Sequence, residues 1–291
     1  MALNHACRVL PEFVWNVDPV LLRFSGLEFR YYGLLLEGAI LLGFSLFSWQ
    51  IRRGQGAGEE AGEFLIIGTP ALLIGARIAH CVFYDLDHLL ANPTWLLKIG
   101  GGGLASHGAA IGLALAMYVF TRRRAIPFLD GTDRLTFATA LAVVLVRCGN
   151  WFNSEIAGRV TDGTWGVAFP RYDMGGDVPL RHPAQLYEAA LGVLLFGALL
   201  VCDRAWAREG RARGALTGVL LVGYFSGRFL LEFVKEPEGP RFGWLDMGQV
   251  LSLPAIACGV FVLWRSLRTP LPAGWVVGRA PTRALQVEED S

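Results

Sequence analysis

The stretch YYGLLLEGAILLGFSLFSWQIRR, residues 31–53, decides the fold. From Tyr31 to Trp49 it stays apolar over roughly 20 residues, the length a helix needs to cross about 30 Å of hydrocarbon. Trp49 closes the run at headgroup level, and Arg52 and Arg53 follow it. Working outward, six more runs of this kind appear: Phe64 to Tyr84, Leu104 to Phe120, Leu135 to Trp151, Pro183 to Val201, Ala215 to Val234 and Met247 to Trp264. The composition agrees. Hydrophobic residues make up 53% of the 291 and charged residues only 18%, where a soluble chain carries about a quarter charged. The sequence therefore predicts an all-α integral membrane protein of about seven transmembrane helices. Residues 1–268 are expected to form a single transmembrane domain, and residues 269–291 a flexible cytoplasmic tail.

The connections set the expected topology. Arg52 and Arg53 follow the first span, Arg122, Arg123 and Arg124 the third, Arg204, Arg208, Arg211 and Arg213 the fifth, and Arg265 and Arg268 the seventh. Basic residues mark cytoplasmic loops, so the amino terminus is expected outside and the carboxyl terminus inside. Two outer connections are long. Residues 85–103 end in Gly100 to Gly103. Residues 152–182, between spans four and five, carry Trp165, Phe169, Pro170 and Tyr172 and are expected to fold as an extracytoplasmic segment against the mouth of the bundle. The first apolar run starts too late and runs too long for a cleavable signal peptide. A net charge of +1 gives no argument for nucleic acid. Five scattered cysteines without metal-ligand spacing read as small core residues.

Polar residues inside spans are costly and point to function or mutual pairing. Here they include Tyr32, Glu37, Arg77, His80, His107, Arg147, Asn150, Arg228 and Glu232. Given the expected topology, all fall in the outer half of the membrane and form a one-sided cup. Arg77, His80 and Tyr84 share a helix face, as do Arg147, Asn150 and Ser154, with Glu155 beside them if the helix continues. Tyr224, Arg228 and Glu232 share a third face. Plainer readings stand beside the functional one: Arg228 with Glu232 as an intrahelical ion pair, His80 as a packing residue, and Glu37 as a counter-ion. Gln185 and Glu188 are expected to fasten the fifth span to the preceding loop. Clustered arginines suit the phosphate of a lipid head group, and a histidine suits proton transfer. HExxH, GxSxG and acidic metal clusters are absent. These residues point to a lipid-dependent transferase with phosphate in the leaving group and no metal or cofactor. A competing class is an outward-facing lipid or anion transporter that uses the arginines as a binding site. Transport would be expected to continue polar residues into the inner half of the spans.

The most specific stretch is Arg147-Cys-Gly-Asn150-Trp-Phe-Asn153-Ser-Glu155-Ile-Ala-Gly158-Arg159. Gly-Ala-Arg77, Ser106-His107-Gly108, Arg181-His182-Pro183-Ala-Gln185-Leu-Tyr187-Glu188, Gly227-Arg228 and Glu232-Phe233 accompany it. In these motifs the chain resembles the prolipoprotein diacylglyceryl transferase family, whose signature reads Arg-x-Gly-Asn-Phe-x-Asn-x-Glu-x-x-Gly. Against that pattern Trp151 replaces a phenylalanine, Val146 precedes the arginine where glycine is usual, and Ser106 stands where an aromatic or aliphatic residue is common. Glu37 matches no family motif.

The resemblance implies a bacterial inner-membrane enzyme. It would transfer the diacylglyceryl group of phosphatidylglycerol to the lipobox cysteine thiol of a prolipoprotein, with glycerol phosphate leaving. It further implies His107 as the base, with Arg147 and Arg228 holding the phosphate. Tyr32, Asn150, Asn153 and Glu155 would orient these groups and Gly158 would permit a tight turn. Arg77 and Glu232 complete the expected substrate-binding set.

Overall fold

The computed structural model describes residues 13–97, 103, 105–174, 177–237 and 241–268. The expected tail at 269–291 lies outside the described residues. The chain is mostly helical. After strand β1 (Phe13–Val14) and a hairpin, β2 (Val20–Phe24) and β3 (Leu27–Arg30), come α1 (Tyr31–Arg53), α2 (Glu59–Phe83) and the short α3 (Leu86–Ala91). A 3-10 turn over Pro93–Leu97 leads towards α4 (Ser106–Arg123) and α5 (Phe128–Asn153). Strands β4 (Val167–Ala168) and β5 (Leu180–Arg181) precede α6 (Ala184–Ala205). A second 3-10 turn (Arg208–Gly210), α7 (Ala215–Leu231), strands β6 (Arg241–Phe242) and β7 (Leu245–Asp246) and α8 (Met247–Arg268) complete the order.

Among the described residues five helices, α1, α2, α5, α6 and α8, are long and apolar enough to cross a membrane. The other two expected spans correspond to α4, of 18 residues, and the apolar α7, of 17. At about 1.5 Å per residue these still extend roughly 25–27 Å. The clearest boundary difference is at α5. It begins at Phe128 rather than Leu135 and so takes Asp130, Asp133 and Arg134 into the helix.

The chain divides into two compact units. The first comprises Met1–Gly43, Phe137–Cys202 and Gly218–Phe261. In it, β1 pairs with β4 in parallel and β4 with β5 antiparallel. Around these strands Trp15, Trp151, Ala157, Val167 and Phe169 form a small apolar core. The Trp15 indole donates to the Trp151 carbonyl at 2.8 Å and the two rings lie 4.5 Å apart. Much of the connection between α5 and α6 is thus folded, as its aromatic content predicts.

The second unit comprises Phe44–Thr136, Asp203–Thr217 and Val262–Ser291. Its core is Phe47, Ile51, Phe64, Met117 and Phe120 with Ala61, Ala116 and Ile126. Helices α2 and α4 meet along Ala71, Gly75, Gly108 and Gly112, where a β-carbon on any of the three glycines would collide with the facing backbone. Close backbone approach through small residues is the usual basis of helix association in lipid, where burying apolar surface gives no advantage over contact with lipid tails.

This unit also buries a polar network that the sequence reading did not find. Arg53 holds Asp203 in a two-pronged pair at 2.7 and 2.8 Å and Glu209 at 2.7 Å. Arg134 donates to the Gln50 carbonyl and reaches Glu209 at 2.7 Å. Arg211 reaches Asp203 at 3.3 Å, and Asp133 lies 3.8 Å away. Two arginines expected to mark solvated loops, Arg53 and Arg211, are thus ion-paired in the interior. Polar residues are not confined to the outward ends of the expected spans.

Candidate functional site

In the first unit the signature motif ends a helix and begins a turn. Glu155 N–H bonds the Asn150 carbonyl at 2.9 Å and Ser154 N–H the Trp151 carbonyl at 3.0 Å, a Schellman closure of α5. Ser154, at φ 55°, stands where glycine is usual. Helix α5 therefore stops at Asn153, and Glu155 reaches its neighbours by folding back. Its carboxylate accepts from Asn150 Nδ2 at 3.2 Å and Asn153 Nδ2 at 2.9 Å. Asn150 Oδ1 in turn accepts from Arg147 Nη1 at 3.2 Å. Tyr32, on α1, packs against Gly149 and lies in the field of Arg147 and Glu155.

The other edge of Arg147 is taken by Glu188 of α6, whose Oε2 pairs with Arg147 Nε. The second Glu188 oxygen lies 3.2 Å from Lys235 Nζ, and Lys235 reaches Glu232 at 3.7 Å. Arg228 lies in the field of Tyr224, Glu188 and Glu232. Three cations and two carboxylates, from α5, α6 and the end of α7, thus form one connected cluster. Glu188 does not simply fasten α6 to the loop as expected: it is the carboxylate shared by the cluster. Gln185 does bind the loop, through the Glu155 carbonyl at 2.5 Å.

Lys235, only 2% exposed on its side chain, was missed from sequence. The available signal was its spacing three residues after Glu232 and its rarity, since the only other lysine is Lys98. Its backbone pairs with Gly158 across an isolated antiparallel bridge. A β-carbon on Gly158 would come within 2.6 Å of the His182 and Val234 carbonyls. Gly158 therefore serves close strand approach. The tight turn expected there is made instead by Ser154 and Ile156, both with positive φ. Arg181 grips Asp173 through two bonds of 2.8 and 2.7 Å and reaches Glu236 at 3.0 Å. The hydrogen bonds to Asp173, ahead of all other causes, raise its pKa.

In the second unit, Arg77 of α2 donates to the carbonyls of Trp95 at 2.7 Å, Gly103 at 3.2 Å and Leu96 at 3.3 Å. Its guanidinium lies 5.4 Å from the Trp95 ring centre. It thereby holds the segment after α3 onto α2. Gly103, at φ +79°, passes where a β-carbon would come within 2.5 Å of His80 Nε2. His80 stacks on Tyr84 at 5.8 Å, as their spacing predicts. His107 sits in the first turn of α4, edge-on to Phe83 at 5.3 Å and 6.0 Å from Tyr84.

A helical membrane protein whose buried arginines are braced by carboxylates from separate segments is the class that fold and site define. The family described as prolipoprotein diacylglyceryl transferase matches residues 19–265. The phosphatidylglycerol–prolipoprotein diacylglyceryl transferase of Tolumonas auensis is 38% identical over 261 residues, covering 87% of this chain and 97% of the relative. Proteins of the same name from Chloroherpeton thalassium and Coxiella burnetii are each 36% identical. They cover 87% of this chain and 94% and 97% of their own lengths. The chain belongs to the prolipoprotein diacylglyceryl transferase family.

Proposed function

We propose that this protein transfers the diacylglyceryl group of phosphatidylglycerol to the thiol of a prolipoprotein's lipobox cysteine, forming a thioether and releasing glycerol phosphate. The observation that carries this, beside family membership, is the connected cluster around Arg147. A guanidinium fixed by Glu188 on one edge and Asn150 on the other can present its remaining N–H groups to a phosphate in a set orientation. In this reading Arg147 and Arg228 hold the phosphate and stabilise its charge as the C–O bond breaks. Tyr32, Asn150, Asn153 and Glu155 orient them, Gly158 keeps the following strand close, and Glu232 sets the charge near Arg228. Arg77 shapes the segment near His107, whose task is to take the thiol proton. The nucleophile is the substrate's own cysteine.

The protein is read as a bacterial inner-membrane enzyme of seven spans, counting α4 and α7. Its amino terminus and residues 152–182 are outside and its carboxyl terminus is inside. Residues 1–268 form one transmembrane catalytic domain and 269–291 a cytoplasmic tail.

Incubating the purified protein with phosphatidylglycerol and a lipobox peptide should yield a peptide heavier by one diacylglyceryl group. An unchanged peptide mass with active, folded protein would refute the reaction. His107→Gln should lower turnover roughly 10²–10⁴-fold, the range of a general base, with lipid binding kept. A free thiol titrates near pH 8.5, so raising the pH towards 9 should partly rescue His107→Gln. Arg228→Ala should lose lipid binding and gain nothing from pH. A like response of both variants would remove His107 from the proton transfer.

A further inference from the structure

The hairpin ahead of α1 has two dissimilar faces. Ser25 and Gly26, at φ 49° and 82°, make its two-residue turn, the left-handed form that matches strand twist. The register sets Leu22 opposite Phe29 and Phe24 opposite Leu27, while Arg23 faces Glu28. Side chains alternate across a strand, so Leu22, Phe24, Leu27 and Phe29 share one face. They are 56, 69, 63 and 46% exposed. The opposite face is an ion-paired ladder in which Arg23 meets Asp18 at 2.9 Å and Glu28 at 3.4 Å, and Arg30 meets Glu28 at 3.0 Å.

A lone two-stranded hairpin is marginal in water, and an apolar face this open calls for a partner. Its attachment indicates which. Strand β3 ends at Arg30 and α1, a membrane-crossing helix, begins at Tyr31 with no residue between. The Tyr31 N–H bonds the Pro19 carbonyl at 3.1 Å, and the Tyr31 ring stacks on Phe152 at 4.3 Å. The base of the hairpin is thus fixed to the membrane end of α1. Strands of four and five residues extend only about 15 Å, so the whole hairpin stays close to the membrane end of α1. Along α1, Leu34, Leu41 and Leu42 are likewise exposed apolar residues.

We infer that this hairpin lies in the bilayer interface on the side where α1 begins. Leu22, Phe24, Leu27 and Phe29 enter the boundary between headgroups and acyl chains, and the Arg23–Glu28–Arg30 ladder faces water. The occupant of the apolar face is lipid, as for an interfacial amphipathic element.

The test uses the full chain in phosphatidylglycerol-containing vesicles, with and without acyl chains brominated near the headgroup. Phe24→Trp and Leu27→Trp should each add blue-shifted emission over the unsubstituted protein, and brominated lipid should quench it. Arg23→Trp, on the ladder face, should add red-shifted emission that brominated lipid leaves largely intact. Two apolar-face positions guard against one variant misfolding. Added emission from positions 24 and 27 that is red-shifted and unquenched would overturn the inference, as would equal quenching on both faces. Blue-shifted emission that resists brominated lipid but depends on protein density would also overturn it, assigning the face to a second copy of the chain.

Discussion

Arg147 is held at two points, Nε by Glu188 and Nη1 by Asn150. A lysine there keeps the charge but loses the planar fork. Arg147→Lys should therefore fall almost as far in turnover as Arg147→Ala, by about 10²–10³-fold, the loss expected for one oxyanion donor. Steady-state rates with the lipobox peptide check this, and near-normal turnover in Arg147→Lys would show that a point charge suffices. Lys235 makes a different demand. Removing it takes away one of the cations that Glu188 and Glu232 share, and breaking a buried pair costs about 3–5 kcal/mol. Lys235→Met should unfold at clearly lower temperature in detergent, and Lys235→Arg should restore most of the difference. The signature residues were legible because a local motif carries them. Glu188 and Lys235 were not, since their partnership joins α6 to the turn after α7 and no local spacing reports it.

At the scale of elements, the ends of helices carry the information that apolar patterning does not. Ser154 adopts a left-handed conformation that costs about 1–2 kcal/mol for a residue with a β-carbon. Its buried hydroxyl finds no protein partner either. Ser154→Gly should raise the unfolding temperature, and a fall would show that the hydroxyl has a role outside the closure of α5. The start of α7 is secured from elsewhere in the chain. Asp133 accepts the Gly214 N–H at 2.7 Å, the Thr217 N–H at 2.8 Å and the Thr217 hydroxyl at 2.6 Å. Asp133→Ala strands these donors and should cost several kcal/mol, at about 1–3 kcal/mol for each buried group left unpaired. Thermal unfolding compared with the solvent-facing Asp162→Ala measures it. Hydropathy found the five long apolar helices but started α5 late, because Asp130, Asp133 and Arg134 look like loop residues until their ion pairs are seen.

For the whole molecule, charge governs both orientation and stability. A reporter fused after residue 205 should be cytoplasmic and one inserted near Gly163 extracytoplasmic; finding both on one side would contradict the proposed topology. Glu209 supplies a pH test. Burial pushes its pKa up, but hydrogen bonds from Arg134 and Arg53 outweigh this and hold it below its ordinary 4.5. The folded state therefore binds this proton less readily than the unfolded state. The stabilisation is present above pH 4.5 and lost as pH falls through the lower folded value. The unfolding temperature should fall on acidification below that point, and Glu209→Gln should flatten part of the slope. The membrane class and the family were legible from the sequence. The division into two units was not, because each unit gathers segments from far apart in the chain.

The seam of Ala71, Gly75, Gly108 and Gly112 bears on how the protein is made. Backbone meets backbone there, so the fit of α2 to α4 needs no side chain from any later helix. Both helices leave the ribosome ahead of α5. The pair can dock in the bilayer during synthesis and give the remaining helices a finished surface to assemble on. A nascent chain halted far enough beyond Arg124 for α4 to have left the ribosome should already crosslink between cysteines placed at Gly68 and Leu113, which face each other away from the seam. A Gly108→Leu chain should fail to do so, and should be degraded early rather than mature slowly.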